Sequence, residues 1–369
     1  MKQRFIALFV FFLPLGANAQ TATDTLALAS DSNMKSQFIL GIRQHYGFIL
    51  IHSKAVRNIK DSYPWGTEII LNWHKMNLKS WEICNCYPRV GLLISFFDFD
   101  NPAILGYGLN VVGFVEPWFK SHKRFNITLR PAAGLSFNTR PYDAVKNPDN
   151  QSYSLPVNVY IQLSFALNYR INKNYGINFA ANYNHISNGG IKEPNKGINY
   201  PTASVGIEYN FNPAPFKDRL KQKYQGIKKR RYDFAIFSFA KRIGGNSSYF
   251  GVYGVMSEFS QQVSRMNAVR LGAEWVWDNS LKWRLENQLN LDADYQRGAL
   301  FIGHEFLMGR FIFSQDLAIY FYDQTKYNDP VYQRYGLNYK LGDRVFIGMH
   351  LKAHLHVADL IVIRLGLSL

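Results

Sequence analysis

The chain has only two cysteines, Cys84 and Cys86. A disulfide framework needs more, and a metal site here needs further ligands that the neighbouring sequence lacks. On a strand the two would share a face, as free thiols or as a local disulfide, and neither state carries a function. After residue 20 no apolar run reaches the length a helix needs to cross a bilayer. That excludes a helical membrane protein. Acidic residues are also scarce: 26 Asp and Glu stand against 42 Lys and Arg, a formal charge of +16.

What is present begins with an export signal. Residues 1–20, MKQRFIALFVFFLPLGANAQ, have a positive start in Lys2 and Arg4, an apolar stretch from Ile6 to Leu15, and an Ala17-Asn18-Ala19 cleavage site. We expect cleavage after Ala19, because the apolar stretch is too short for a membrane anchor. No Cys follows that site, so no lipoprotein anchor is expected there. The charge is +14 once Lys2 and Arg4 leave. In an exported chain, phosphate-bearing lipid head groups suit that charge better than nucleic acid does.

Aromatics make up 16% of the sequence and recur in alternating segments. Export, alternation and the absence of membrane helices point to an all-β, antiparallel, transmembrane outer-membrane barrel. A secreted β-sandwich would show shorter strands and closer turns. Eight strand-like runs cover 36–51, 66–76, 80–98, 103–118, 124–137, 156–170, 175–188 and 201–211. In one of the cleanest, Val157, Val159, Ile161, Leu163, Phe165 and Leu167 oppose Asn158, Gln162, Ser164 and Asn168. If the first strand runs outward, 52–65, 99–102, 138–155 and 189–200 are external. Residues 77–79, 119–123 and 171–174 are then periplasmic. Long external and short periplasmic connections are what such barrels require.

Residues 212–231 carry eight Lys/Arg against one Asp and read as a solvated periplasmic linker. Nine further runs follow, including 269–277 and 283–291, for seventeen in all. A single-chain bacterial barrel has an even number, so one run is not a strand. The expected division is a signal peptide (1–19), a first barrel half (20–211), the linker (212–231) and a second half (232–369). Interior residues of the first half read as small and uncharged, those of the second as more charged, suiting a wide wet lumen or paired charges. We expect about sixteen strands in one large barrel, with two tandem eight-stranded barrels as the alternative. The terminal RVFIGMHLKAHLHV can be laid over NYGINFAANYNHIS, which suggests a duplication. Its His350, Lys352, His354 and His356 are expected to line the lumen as polar residues rather than as metal ligands.

The stretch 175–211 carries the chemistry. Phe179, Ala181, Tyr183, His185 and Ser187 share one strand face, opposite Asn178, Ala180, Asn182 and Asn184. In a lipid-embedded barrel the apolar face points outward. His185 and Ser187 then lie on the lipid side near the external end. At a spacing of two the imidazole reaches the hydroxyl, and can take its proton for acyl transfer. Asn188, Gly189 and Gly190 supply amide donors for an oxyanion. Asn199 opens the next strand with outward parity and can orient His185. A lone H-x-S pair also reads as polar trimming at the membrane interface. Its place on a lipid face, where polar groups are costly, favours chemistry.

The string His185-Ile186-Ser187-Asn188-Gly189-Gly190-Ile191, followed by Pro194-Asn195-x-Gly197, resembles the lipid A 3-O-deacylase (PagL-type) family. The likeness covers roughly 36–211 and is most specific over 183–209. It implies an eight-stranded outer-membrane barrel with an external Ser–His–acid esterase site that removes an ester-linked acyl chain from lipid A. It implies His185 as base, Ser187 as nucleophile and Asn188 in the oxyanion hole, with lipid A of the outer leaflet as partner and no cofactor or metal. Two features depart from the pattern. The family carries a Glu near the start of the last strand, where this chain has Asn199; Glu193 is near but out of register. Residues 212–369 lie outside it. A non-enzymatic barrel and an outer-membrane phospholipase are the competing expectations.

Overall fold

The computed structural model describes residues 34–221, 224, 229–243, 248–354 and 357–369. The expected signal segment, its cleavage after Ala19, and His356 lie outside the described residues. Two closed antiparallel barrels of eight strands each make up the fold. The first consists of β1 (Gln37–Gly47), β2 (Trp65–His74), β3 (Arg89–Asp98), β4 (Tyr107–Glu116), β5 (Phe125–Asn138), β6 (Val157–Arg170), β7 (Tyr175–Ser187) and β8 (Ile198–Asn210). A short helix, α1 (Leu78–Cys84), lies between β2 and β3. The second barrel consists of β9 (Arg230–Lys241), β10 (Phe250–Gln262), β11 (Asn267–Asp278), β12 (Gln296–Met308), β13 (Phe311–Asp323), β14 (Val331–Lys340), β15 (Val345–His354) and β16 (Val357–Ser368). The helix α2 (Asn279–Arg284) lies between β11 and β12.

Closure decides the architecture. β8 returns to β1, with Ile207 opposite Ile42, and β16 returns to β9, with Leu365 opposite Ile236. Each set of eight satisfies its own edges, so no edge is left to merge the two. The single large barrel gives way to the tandem alternative. Along β6, Ile161, Leu163 and Phe165 face outward and are exposed, whereas Gln162 and Ser164 are buried inside. No helix among the described residues is long and apolar enough to cross a membrane.

Eight strands leave interior room for side chains only, so charges inside must pair. Arg130 Nη2 donates to Glu68 Oε1 at 2.7 Å, and Gln162 Nε2 to Glu68 Oε2 at 3.0 Å. Arg89 Nη1 donates to both oxygens of Glu208 at 3.1 and 3.0 Å. The expected uncharged interior of the first half is thus corrected: Arg43, Glu68, Arg89, Glu116, Arg130 and Glu208 are all buried there. Arg43 faces Glu68, and Arg89 faces Glu116, on adjacent strands, whereas Arg130 reaches Glu68 and Arg89 reaches Glu208 from strands that are not neighbours. The second lumen also holds paired charges. Arg270 meets Glu258 and Asp316, Arg334 meets Asp316, and Arg364 meets Glu258.

Two expected strand segments are partly helical. Residues 283–291 are the surplus strand. Asp278 caps α2, its side chain accepting from the Ser280 and Leu281 N–H groups, and Leu285–Leu289 continue as a wider helical turn. The buried residues Leu281 and Leu285 are one helical turn apart. Residues 80–84 belong to α1, where the Asn77 side chain accepts from Ser80 N at 2.9 Å. Cys84 therefore ends a helix instead of sharing a strand face with Cys86, and the two form a disulfide. The connection between β2 and β3 is correspondingly longer than the expected 77–79.

The linker follows β8 and starts at the end of the first barrel opposite the 188–197 connection. Phe216 packs there against His74 and Tyr87, with ring centroids 4.8 and 5.3 Å apart. Tyr87 Oη donates to the Lys217 carbonyl at 2.7 Å.

Candidate active site

Strand geometry builds the site. Side chains alternate along β7, so Tyr183, His185 and Ser187 project from the outer face while Asn182 and Asn184 are buried inside. β8 runs antiparallel beside it with His185 directly opposite Asn199. The imidazole bridges the two strands: Nε2 is 2.9 Å from Ser187 Oγ and Nδ1 is 2.6 Å from Asn199 Oδ1. An amide oxygen only accepts, so the ring proton sits on Nδ1 and Nε2 is free to accept from Ser187. Ser187 is 5% exposed.

Gly197 makes room for the ring. Its φ is +72°, and a Cβ there would lie 2.9 Å from His185 Cε1 and 3.4 Å from Ser187 Cβ. Its N–H donates to the Ser152 carbonyl at 2.7 Å, which ties the loop before β8 to the loop before β6.

The expected oxyanion donors divide. Asn188 Nδ2 donates to the Lys192 carbonyl at 2.7 Å and to Ser154 Oγ at 3.1 Å. Its backbone N–H donates to Asn195 Oδ1 at 2.8 Å, and its Oδ1 accepts from Gly190 N at 3.1 Å. Asn188 thus spends its amide folding the loop, and Gly190 spends its N–H on Asn188. Gly189 N–H has no acceptor among the described residues.

The second barrel reaches this loop. A Cβ on Gly189 would meet Ile361 of β16 at 3.0 Å, and one on Gly190 would meet the Asp359 carbonyl at 2.5 Å. Ile361 is only 6% exposed, although Ile363 and Leu365 on the same face are about half exposed. Arg242 N donates to the Ile191 carbonyl at 2.7 Å. Glu193 is engaged by Arg284 Nη2 at 2.8 Å, an ion pair between the barrels. Next to the loop opens a cavity of about 1640 Å³ lined by Lys192, Glu193, Lys241, Arg242, Tyr320 and Asp359 among others.

Two further residues fall where sequence reading did not look. His52, in the loop after β1, has Nδ1 3.1 Å from Asn199 Nδ2. No periodicity marks it; only continued pairing of the chain beyond β1 with β8 brings it there. Ile361 reads in sequence as one more lipid-facing residue. Of the far histidines, His350 contacts Asn338 Oδ1 at 3.2 Å inside the lumen, and His354 Nε2 lies 3.4 Å from Tyr320 Oη. Among the described residues no group of three or more His, Cys, Asp or Glu is placed to hold a metal ion.

Comparison with known proteins matches the chain to a family. A model described as lipid A 3-O-deacylase (PagL) matches residues 68–208. A second, described as the acyloxyacyl hydrolase C-terminal domain (PagL_C), matches residues 230–369. The second half, expected to lie outside the family pattern, therefore has a family model of its own. No curated protein matches the chain. Among solved structures, neisserial surface protein A (NspA) is 8% identical over 47% of this chain and 97% of its own, with a TM-score of 0.34. A mutant porin from Rh. blastica is 10% identical over 89% of this chain and 99% of its own, with a TM-score of 0.20. The two family models together span most of the sequence, and the chain belongs to the lipid A 3-O-deacylase (PagL) family of outer-membrane acyl hydrolases.

Proposed function

We propose that the chain is a serine esterase that cuts an ester-linked acyl chain from lipid A in the outer leaflet. The observation that carries this reading is the imidazole of His185, held between Ser187 Oγ at 2.9 Å and Asn199 Oδ1 at 2.6 Å. The arrangement lies on the outer face of a membrane barrel, where polar groups are costly unless used.

Ser187 Oγ attacks the ester carbonyl while its proton passes to His185 Nε2. The tetrahedral oxygen takes up negative charge, and the Gly189 N–H is the free donor beside the nucleophile to meet it. His185 then returns the proton to the departing sugar oxygen, leaving an acyl-Ser187. A water molecule gives its proton to the same Nε2 and attacks the acyl group, which releases a fatty acid and restores the hydroxyl. Asn199 keeps the ring proton on Nδ1 throughout. Being neutral, it offers the imidazolium a dipole instead of a charge.

The test is mass spectrometry of lipids from cells that express the native chain or Ser187→Ala. Lipid A short of one acyl chain in the native strain alone is the expected result. Loss of acyl chains from phospholipids with lipid A untouched would make the site a phospholipase. Intact lipids of both classes would leave a barrel without this activity.

A further inference from the structure

We propose that His52 is a positioning residue for this reaction, holding the Asn199 amide in the one orientation that lets His185 act as a base. The proposal rests on the serine-esterase reading. An Asn side chain has an accepting end and a donating end of nearly the same shape, and only one end suits the site. With Nδ2 turned toward His185 Nδ1, the ring proton would be forced onto Nε2. A protonated Nε2 donates to Ser187 and cannot take its proton.

The surrounding hydrogen bonds choose between the two orientations. His52 Nε2 lies 2.8 Å from the Lys196 carbonyl. A carbonyl only accepts, so Nε2 carries the proton, and Nδ1 of the neutral ring must accept. The Leu50 carbonyl is 3.4 Å from Nδ1, the longer contact, and does not compete. Asn199 Nδ2, 3.1 Å from that Nδ1, therefore donates. Oδ1 is left facing His185 Nδ1, and Nε2 is left bare toward Ser187. Ser187, His185 and Asn199 each donate to the next residue of the series, and His52 ends it by donating to a backbone oxygen.

That oxygen and His52 are both fixed by backbone pairing. Lys196 N donates to the Gln151 carbonyl at 3.0 Å and Gly197 N to the Ser152 carbonyl at 2.7 Å. Phe48 N donates to the Pro201 carbonyl at 3.2 Å and Leu50 N to the Asn199 carbonyl at 2.8 Å. The chain after β1 thus runs on beside β8 and delivers His52 to Asn199. A carboxylate at position 199 would have two accepting ends and would need no such partner. The amide does.

Initial rates of the purified full chain on lipid A test this. His52→Leu should lower kcat roughly 3- to 10-fold, the worth of one net hydrogen bond, with KM little changed. His52→Gln, whose carbonyl can accept from Asn199 and whose amide can donate to Lys196, should recover most of the loss. In an Asn199→Asp background, His52→Leu should change kcat less than about twofold, since a carboxylate cannot be misoriented. Folding of each variant is checked by its heat-dependent mobility on gels. An equal loss in both backgrounds, or no loss in the native one, would overturn the role of His52. Ser187→Ala runs alongside. If it is active, the esterase reading fails and takes this role with it. If it is inactive while His52→Leu is unimpaired, only the role of His52 fails.

Discussion

Asn199 and His185 face each other in register across β7 and β8, with Asn199 Oδ1 2.6 Å from His185 Nδ1. The contact is set by strand pairing, not by a loop, so the ring has little freedom to drift. The family pattern has a carboxylate here, and the neutral amide keeps the geometry of that contact without its charge.

Asn199→Glu should preserve or raise the rate, because a carboxylate would stabilise the imidazolium formed as Ser187 attacks. Asn199→Leu should lower it roughly 3- to 10-fold by freeing the ring to rotate. Initial rates on purified lipid A check both. A Leu variant as fast as the native enzyme would deprive Asn199 of its orienting role.

Gly197→Ala should cost activity out of proportion to stability. The added Cβ would sit 2.9 Å from His185 Cε1, on backbone with φ of +72°. The backbone term is about 1–2 kcal/mol, but displacement of the ring should lower kcat by an order of magnitude or more. Rate and urea midpoint measured on one preparation separate the two effects. An unchanged rate would mean that the ring has room the structure does not give it.

Glu193→Gln should leave the rate within about twofold, since the residue is engaged by Arg284 and is partly exposed. The same rate assay decides. A loss comparable to that of Ser187→Ala would make Glu193 the missing acid.

Arg130→Met should destabilise the first barrel by about 3 kcal/mol, because it strips Glu68 of its closest cation inside the lumen. Urea unfolding in detergent measures this. A neutral result would mean that Arg43, 3.9 Å from Glu68, suffices alone.

Period-two alternation made the outward parity of His185 and Ser187 legible, and Asn199 shared it by position, because strands impose that rule residue by residue. Closure was not legible. Whether β8 pairs with β1 or β9 depends on edges far apart in sequence, and no local pattern records it. The lumen charges escaped for a related reason: Glu68 and Arg130 are 62 residues apart and meet only across the barrel. Residues 283–291 alternate well enough to pass for a strand, but the cap at Asp278 and the spacing of Leu281 and Leu285 favour a helix. His52 lies in a connection, where neither periodicity nor motif points to a neighbour.

The most direct test of the central claim is the release of fatty acid from purified lipid A by the native chain and by Ser187→Ala, both confirmed folded by heat-dependent gel mobility. The account predicts steady release of one acyl chain per lipid A by the native chain and none above background by the variant. Equal release by a folded Ser187→Ala would contradict it, and would place the chemistry at a site other than the His185–Ser187 pair.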